Sequence, residues 1–403
     1  MAAGKSEEDV ANLRVVNIGA IVSGDIDAPL AEGDTVVVRE GTIAHVGDEA
    51  GAPSPVDGET TIDAAGATLI PGLIDNHVHP VIGDFSPRQR ILDFIESCLH
   101  GGVTSMISAG EPHVPGRPRD RVGTKALAIL AAKAFANARP AGVKVIAGAV
   151  ILEHGLTEAD FDEMAEAGVQ LVGEIGLSAV CTPEEAGPMV RWAQARGMRV
   201  AMHTGGVSIP GSNAIRADLV CAIRPDVASH VNGGPTRLPL DDVARILRET
   251  DAFVEIVQCG NTLAAQEVAR LVAKEGLEGR LILGTDMPSG TGVIPLGMLR
   301  TISWVAALGR IAPERAVAMA TGNTARLHRL NRGLVAPGRE ADLVIIDAPI
   351  GSAASTALQT LATGDTPAVS AVIVDGVVKV GTSRNTPPGQ RTIVVPGFAG
   401  GGH

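Results

Sequence analysis

The sequence predicts an α/β protein, a (β/α)8 TIM barrel joined to a small composite β-sandwich domain made from both chain ends. Short apolar segments alternate with helical segments through the middle of the chain, whereas both ends carry short strands and turns. The length of 403 residues suits a barrel of roughly 250 residues plus a second unit. The predicted boundaries are 1–71 and 332–403 for the sandwich and 72–331 for the barrel.

Eight apolar segments in the middle of the chain are predicted barrel strands, and each has glycine or polar residues at or near its carboxyl end. They cover 72–79, 103–110, 143–150, 169–176, 199–205, 226–233, 253–260 and 280–287. Helices are predicted between them over 87–100, 120–138, 158–167, 183–196, 241–249 and 263–274. Eight strands with intervening helices favour a closed parallel barrel, and an open doubly wound sheet is the alternative.

The two chain ends have the pattern of short antiparallel strands. Strands are predicted over 14–18, 35–38, 42–46, 60–63, 341–347, 371–374 and 377–380. Glu40-Gly41 indicates a hairpin, and Asp375-Gly376 is typical of a type I′ hairpin turn. Neither end is long enough for a stable sheet alone, so we expect one sandwich built from both.

Composition excludes several classes of protein. The net charge of −12 without a basic stripe argues against a nucleic-acid partner. No apolar run reaches 18 residues, and the first ten residues lack signal-peptide features, so we expect a cytoplasmic protein away from membranes. Cys98, Cys181, Cys221 and Cys259 are widely separated and are expected to be free thiols.

Side chains that bind metals stand at the carboxyl ends of five predicted barrel strands, where barrel active sites lie. They are His77, His79, Glu174, His203, His230 and Asp286. His77 and His79 are two residues apart on one strand and therefore face the same side. Each residue alone is better explained as a capping or hydrogen-bonded polar group. Six of them at one end of one barrel favour a metal site.

The chemistry of this set predicts two metal ions. Four imidazoles and two carboxylates exceed the three protein ligands of a single catalytic ion. They suit two divalent ions, such as Zn²⁺ or Fe²⁺, about 3.5–4 Å apart and sharing a carboxylate and a water. That water would lose a proton near neutral pH and act as the nucleophile. Asp286 is placed to accept the proton and pass it to a leaving nitrogen.

Two motifs resemble the amidohydrolase superfamily. His77-Val78-His79 follows the segment 69–75, which looks like the first-strand signature of that family, and 333–344 is similar to its C-terminal hallmark. The resemblance covers nearly the whole chain. It implies that His77 and His79 bind one metal with Asp286, and that His203 and His230 bind the other. Many two-metal members bridge the ions with a carbamylated lysine on strand 4, where this chain has Glu174.

The glutamate on strand 4 narrows the resemblance to members that open a cyclic enamide. The loop segments 107–110, 202–206, 232–236 and 258–261 are also similar to theirs. This resemblance implies hydrolysis of the lactam 6-oxo-1,4,5,6-tetrahydronicotinate, a small-molecule substrate, to 2-formylglutarate and ammonia. It also implies a mixed zinc and iron pair, or two zinc ions, and a homotetramer.

Substrate contacts are expected from the loops after the strands. The candidates are His113, Arg117, Thr204, Gly205, Cys259 and Asn261. His113 or Arg117 would pair with a substrate carboxylate, and backbone N–H groups of the glycine-rich loops would serve as well. Cys259 is expected to form part of the pocket wall rather than to take part in catalysis.

Three alternatives share much of this pattern. A dihydroorotase-like, hydantoinase-like or isoaspartyl-peptide hydrolase would use the same metal site. One-metal heterocycle deaminases resemble this chain at five of the six positions but usually place a glutamate a few residues after the histidine that corresponds to His203, whereas residues 204–208 contain no carboxylate. A scaffold protein that lost catalysis would be expected to lose metal ligands, whereas all six positions are filled here.

Overall fold

The computed structural model describes residues 11–80, 91–111, 114, 116–288 and 292–398. The strands of these residues are β1 (Leu13–Val16), β2 (Ala20–Val22), β3 (Leu30–Ala31), β4 (Thr35–Arg39), β5 (Thr42–Gly47), β6 (Thr60–Asp63), β7 (Thr68–Pro71), β8 (Leu73–Val78), β9 (Val103–Ser108), β10 (Lys144–Ile146), β11 (Leu171–Ile175), β12 (Arg199–Met202), β13 (Val227–Ala228), β14 (Phe253–Val257), β15 (Leu281–Gly284), β16 (Leu343–Asp347), β17 (Ala368–Val374) and β18 (Val377–Val380). The α-helices are α1 (Ile91–Leu99), α2 (Arg121–Asn137), α3 (Glu158–Glu166), α4 (Pro183–Ala195), α5 (Ala217–Ile223), α6 (Leu240–Glu249), α7 (Thr262–Lys274), α8 (Gly297–Ala307), α9 (Pro313–Met319), α10 (Gly322–His328) and α11 (Ala357–Ala362).

Strands β8 to β15 form the predicted closed parallel barrel. They pair in two parallel sheets, ordered β10-β9-β8 and β11-β12-β13-β14-β15. One seam is closed by the parallel bridge between Val150 and Val172, and the other by the bridge between Val78 and Met287. All eight carboxyl ends therefore meet at one mouth, as the sequence predicts.

Amphipathic helices cover the outside of the barrel, and neighbours from α2 to α8 pack on one another. Helix α6 shows the pattern, since its Val243, Ile246 and Leu247 lie on one face and are buried. The helix starts are set by local capping. Thr182 accepts a hydrogen bond from the first turn of α4, and Asn261 does the same for α7.

Helix α10 closes the barrel at the end opposite the mouth. Its Ala325 packs in a buried cluster with Ile74 and Leu171, which lie near the starts of β8 and β11. Its Leu327 packs against Val227 and Ile282 in a second cluster. Apolar side chains of α10 therefore fill the barrel interior from the amino end, and the opposite end is left as the open mouth.

The remaining strands form two facing sheets, ordered β5-β4-β1-β6 and β18-β17-β16-β7-β2-β3. The pairing of β16 with β7 joins the two chain ends in one sheet. Leu13 and Val36 from one sheet share a buried core with Leu69 and Ile345 from the other. The structure thus has the predicted composite sandwich, and the exact boundaries at 71 and 332 stay a prediction.

Both predicted hairpins are present in this sandwich. Glu40 and Gly41 have φ angles of 49° and 72°, and Asp375 and Gly376 have 50° and 77°. Positive φ at both central residues is the requirement of a type I′ turn. Among the described residues, no helix combines the length and apolar character needed to cross a membrane.

Candidate metal centre

Two histidines from the end of β8 point into the barrel mouth. Their rings lie 5.2 Å apart, and both side chains are almost fully buried. His77 Nδ1 donates to Glu255 Oε2 at 2.7 Å, and His79 Nδ1 donates to the Gly110 carbonyl at 2.9 Å. Because each Nδ1 is engaged, each Nε2 is left to face the centre of the mouth.

Glu174 at the end of β11 extends its carboxylate between two groups of histidines. Oε1 lies 2.7 Å from His230 Nε2. Oε2 lies 3.5 Å from His77 Nε2 and 3.8 Å from His79 Nε2. One carboxylate therefore presents one oxygen to each group, which is the arrangement of a bridging ligand.

His203 and His230 follow β12 and β13 and form the second group. His203 Nε2 donates to the Gly206 carbonyl at 2.9 Å, and its Nδ1 lies 3.2 Å from His230 Nε2. His203 therefore presents Nδ1 to the mouth, unlike the pair on β8. His230 has a φ of 36°, a backbone conformation that costs a residue with a side chain about 1–3 kcal/mol and is concentrated at functional sites.

Asp286 follows β15 and is the most exposed of the six residues, with 15% of its side chain accessible. Its Oδ1 lies 3.1 Å from His79 Nε2 and 3.6 Å from His77 Nε2. Its Oδ2 accepts from Cys259 Sγ at 3.2 Å. The carboxylate thus contacts the histidines on one side and the open pocket on the other.

These residues fit divalent metal ions. The ligand atoms of His77, Glu174 and His230 lie within 4.8 Å of one another, and so do those of His77, His79 and Asp286. His77 Nε2 is buried and makes no hydrogen bond. Two ligand atoms each about 2.1 Å from one tetrahedral ion are about 3.4 Å apart. The separations of 3.5 and 3.6 Å between His77 Nε2 and the two carboxylates match this value.

The electrostatics of the site favour cations. Burial lowers the pKa of His77, but the carboxylates of Glu255 and Glu174 outweigh burial and raise it well above its usual value. Burial raises the pKa of Glu174, but His77 and His230 outweigh burial and hold that pKa well below its usual value. The Glu174 carboxylate therefore stays ionised among the imidazoles, and a bound cation would balance its charge.

A cavity of about 240 Å³ opens above the six residues. Glu174, His203, His230 and Asp286 contribute to its floor, together with His79. Its walls are formed by Leu177, Ser208, Ile209, Gly233, Gly234, Pro235, Thr236 and Cys259. No lysine or arginine is among the described residues of this lining. Hydroxyl and backbone groups are therefore the donors available to a polar substrate in this part of the site.

Only some of the predicted substrate contacts line this cavity. Cys259 lines the cavity. Arg117 does not line it, because its Nη1 donates to Glu153 Oε1 at 2.9 Å and only 6% of its side chain is exposed. His113 lies outside the described residues.

The other three predicted contacts have local structural partners. Thr204 Oγ1 donates to the Ser229 carbonyl at 2.7 Å. Asn261 Oδ1 accepts from Ala264 N at 2.9 Å at the start of α7. Gly205 passes so close to the next loop that a Cβ would lie 2.0 Å from the Thr236 carbonyl oxygen. None of the three is among the described residues that line the cavity.

Glu255 is a site residue that the sequence pattern did not single out. It lies in the middle of β14, is fully buried, and holds His77 and Asn76 through its two oxygens. The available signal was a charged residue within the apolar segment Phe253-Val-Glu-Ile-Val, since a buried carboxylate needs a partner.

Comparison with known proteins identifies the family of this chain. The amidohydrolase family profile matches residues 68–379. An enamidase from Eubacterium barkeri is 56% identical over 94% of this chain and 97% of its own length. The crystal structure of an enamidase, described as a new member of the amidohydrolase superfamily, superimposes with a TM-score of 0.92 at 55% identity, covering 96% of this chain and all of that one. An imidazolonepropionase from Salinispora arenicola is 29% identical over 84% of this chain and 93% of its own. The chain is an enzyme of the amidohydrolase family.

Proposed function

We propose that this enzyme is a two-metal hydrolase that opens the cyclic enamide 6-oxo-1,4,5,6-tetrahydronicotinate to 2-formylglutarate and ammonia. The observation that carries the proposal is the orientation of the Glu174 carboxylate. One of its oxygens lies at His230, and the other faces His77 and His79. The identity of 56% to a protein named enamidase supports a cyclic enamide as the substrate.

Six residues would hold the metals. His77, His79 and Asp286 would bind one ion, with Glu174 shared, and His203 and His230 would bind the other. When bound, the ions would polarise the amide carbonyl and lower the pKa of a water so that it attacks near neutral pH. Imidazole and carboxylate ligands accept Zn²⁺ and Fe²⁺, and we propose a mixed pair or two zinc ions.

Asp286 is the proton carrier in this proposal. Burial raises its pKa, but His77 and His79 outweigh burial and bring the pKa to about 2, so its carboxylate is ionised at neutral pH. It would accept the proton of the attacking water and give it to the ring nitrogen as the carbon–nitrogen bond breaks. A second water then hydrolyses the resulting enamine after tautomerisation, which releases ammonia and leaves the aldehyde.

The lining of the cavity suits a ring-shaped substrate with a carboxylate, which uncharged hydrogen-bond donors would bind. Ser208 and Thr236 line it with hydroxyl groups, and Leu177, Ile209 and Pro235 present apolar surface. In this arrangement a substrate carboxylate would be held by hydroxyl and backbone N–H groups, while the ring packs on the apolar wall.

The test is ammonia release by the metal-loaded enzyme from 6-oxo-1,4,5,6-tetrahydronicotinate, with dihydroorotate and a hydantoin as control substrates. We expect turnover of the first compound only. Turnover of a control substrate without turnover of the enamide would contradict the proposed substrate and favour another cyclic amidase.

We also propose a homotetramer, which light scattering of the purified enzyme would check.

A further inference from the structure

A buried chain of hydrogen bonds leads from the metal centre to the closed end of the barrel. Glu255 Oε2 accepts from His77 Nδ1 at 2.7 Å and from the His230 backbone N–H at 3.2 Å. Glu255 Oε1 accepts from Asn76 Nδ2 at 2.6 Å, and Asn76 Oδ1 accepts from His328 Nε2 at 2.7 Å. Glu255 is fully buried and Asn76 is 6% exposed, whereas His328 at the far end is half-buried.

The direction of every hydrogen bond in this chain follows from the carboxylate. An ionised carboxylate only accepts, so His77 must carry its proton on Nδ1, and Asn76 must present its amide N–H. The Asn76 oxygen then faces His328, whose Nε2 must carry the proton. Because Nδ1 is engaged with Glu255, Nε2 is the His77 nitrogen left to bind a metal ion, and it is the buried nitrogen without a hydrogen bond.

Glu255 contacts both halves of the proposed metal centre. Through His77 it reaches the group on β8, and through the backbone N–H of His230 it reaches the second group. His230 has the unusual φ of 36°, and a hydrogen bond from its N–H to a buried carboxylate helps to hold that conformation.

Helix α10 holds the far end of this chain of hydrogen bonds. His328 is the last residue of α10, and it borders a small internal cavity together with Asn76 and Arg199. Burial, followed by the charges of Arg199 and Arg332, lowers the pKa of His328 to about 3, which keeps its ring neutral. A neutral ring has one N–H, and here that N–H is donated to Asn76.

We propose that Glu255, Asn76 and His328 are positioning residues, which set the tautomer of His77 and the backbone of His230 so that both metal subsites are formed before metal binds. This inference rests on the proposed two-metal centre. Outer residues of this kind change metal affinity by about 10–100-fold when they are removed.

The test measures binding of Co²⁺ alone, by competition with a chromogenic chelator and from the visible spectrum of the bound ion. In Glu255→Gln the side-chain amide must place an N–H₂ group against His77 Nδ1 or against Asn76 Nδ2. In either orientation two N–H groups face each other, and no hydrogen bond can form between them. We expect Co²⁺ affinity to fall by about 10–100-fold and the spectrum to change.

A second exchange should restore the alternation of donors and acceptors. In Glu255→Gln combined with Asn76→Asp, the carboxylate at position 76 accepts from the amide at 255 and from His328, while the amide oxygen at 255 accepts from His77. Shape and total charge equal those of the parent. We expect affinity within a few-fold of the parent and a parent-like Co²⁺ spectrum. A role in stability alone would change the melting temperature of Glu255→Gln but not its Co²⁺ spectrum.

His328 offers a milder pair of variants. His328→Gln keeps an N–H donor for Asn76 and should keep the Co²⁺ spectrum, whereas His328→Leu removes the donor and should weaken Co²⁺ binding. Asp160→Asn is the stability control. Asp160 is a buried carboxylate that pairs with Arg121 and Lys125 and takes no part in this chain of hydrogen bonds. It should lower the melting temperature and leave Co²⁺ affinity unchanged.

The outcomes separate the two proposals. Failure of the parent to bind Co²⁺ would overturn the proposed metal centre itself. If the parent binds two ions, parent-like affinity and spectrum in both Glu255→Gln and His328→Leu would overturn only the positioning role. A double variant no better than Glu255→Gln would overturn it as well.

Discussion

At the scale of single residues, Asp286 is the group whose position most directly predicts a catalytic role. It contacts His79 through Oδ1 and faces the cavity. We expect Asp286→Asn to lower kcat by at least about a hundredfold, because an amide cannot carry the proton to the ring nitrogen. KM should change much less. Steady-state ammonia release checks both constants.

Cys259→Ala is the matched control for Asp286→Asn. It removes the 3.2 Å contact to Asp286 Oδ2 and leaves the carboxylate in place. We expect kcat within about tenfold of the parent, since a weak thiol donor contributes little. Near-parent turnover in Asp286→Asn with full metal content would remove this residue from the proton path.

Glu174 should hold both ions. In Glu174→Gln one charged oxygen becomes a neutral amide group, so affinity for the first and the second metal should both fall, by at least about tenfold. Competition titration with a chelator measures the two constants. Glu153→Gln is the control, because Glu153 is also buried but pairs with Arg117. Loss of only one ion in Glu174→Gln would contradict the bridging role.

The predictability of the site differs from residue to residue. His77, His203 and Asp286 each lie at or just after the end of an apolar-rich strand, so strand pattern and barrel geometry were enough to bring them together. Glu255 was missed because its side-chain partners, Asn76 and His77 on β8, are 179 and 178 residues away in the sequence. Arg117 illustrates a further limit, because its partner Glu153 lies in a different loop and the sequence does not reveal that pairing.

At the scale of elements, helix α10 should act as the closure of the barrel. Leu327 is 3% exposed and packs against Val227 and Ile282. Leu327→Ala leaves a cavity there and should cost about 2–5 kcal/mol of unfolding free energy. Urea unfolding followed by circular dichroism measures the loss.

Leu263→Ala on α7 is the control for Leu327→Ala on α10, because Leu263 is 70% exposed. It should change the unfolding free energy by no more than about 0.5 kcal/mol. Equal effects of the two substitutions would contradict the closing role of α10.

Elements were predictable where the pattern was long. Helices α2, α3 and α4 begin and end within a residue or two of their predicted bounds, since capping residues and apolar periodicity agree there. Strands β2 and β3 were not predicted, because two or three residues carry no period. The position of α10 across the barrel end depends on tertiary packing and has no signature in its seven residues.

At the scale of the whole molecule, Lys144 connects the barrel to the sandwich. Its Nζ lies 2.6 Å from Glu340, 2.8 Å from Asp342 and 3.0 Å from Asp375, and its side chain is 11% exposed. Lys144→Met leaves three carboxylates without this cation and should cost about 3 kcal/mol. Equilibrium unfolding in urea measures the difference.

Acid should reduce this difference. Burial raises the pKa of Glu340, but Lys144 and Arg332 outweigh burial and hold it below its usual value. A carboxylate with a lowered pKa stabilises the fold above its unfolded pKa, and this stabilisation is lost as pH falls through the folded value. The gap between the parent and Lys144→Met should therefore narrow below about pH 4. A gap that is constant with pH would contradict this assignment.

The alternation of strands and helices was enough to predict the barrel, and the two strand-rich ends were enough to predict a sandwich. The order β18-β17-β16-β7-β2-β3 in the larger sheet was not predictable, because pairing between distant segments depends on packing against the second sheet. The sequence thus indicated which segments meet at the mouth, while the contacts between segments required the folded structure.

Anomalous diffraction from crystals of the metal-loaded enzyme tests the central claim most directly. We predict two peaks about 3.5–4 Å apart, one beside His77, His79 and Asp286, the other beside His203 and His230. Glu174 should lie between them. A single peak, or peaks away from Glu174, would contradict the two-metal centre.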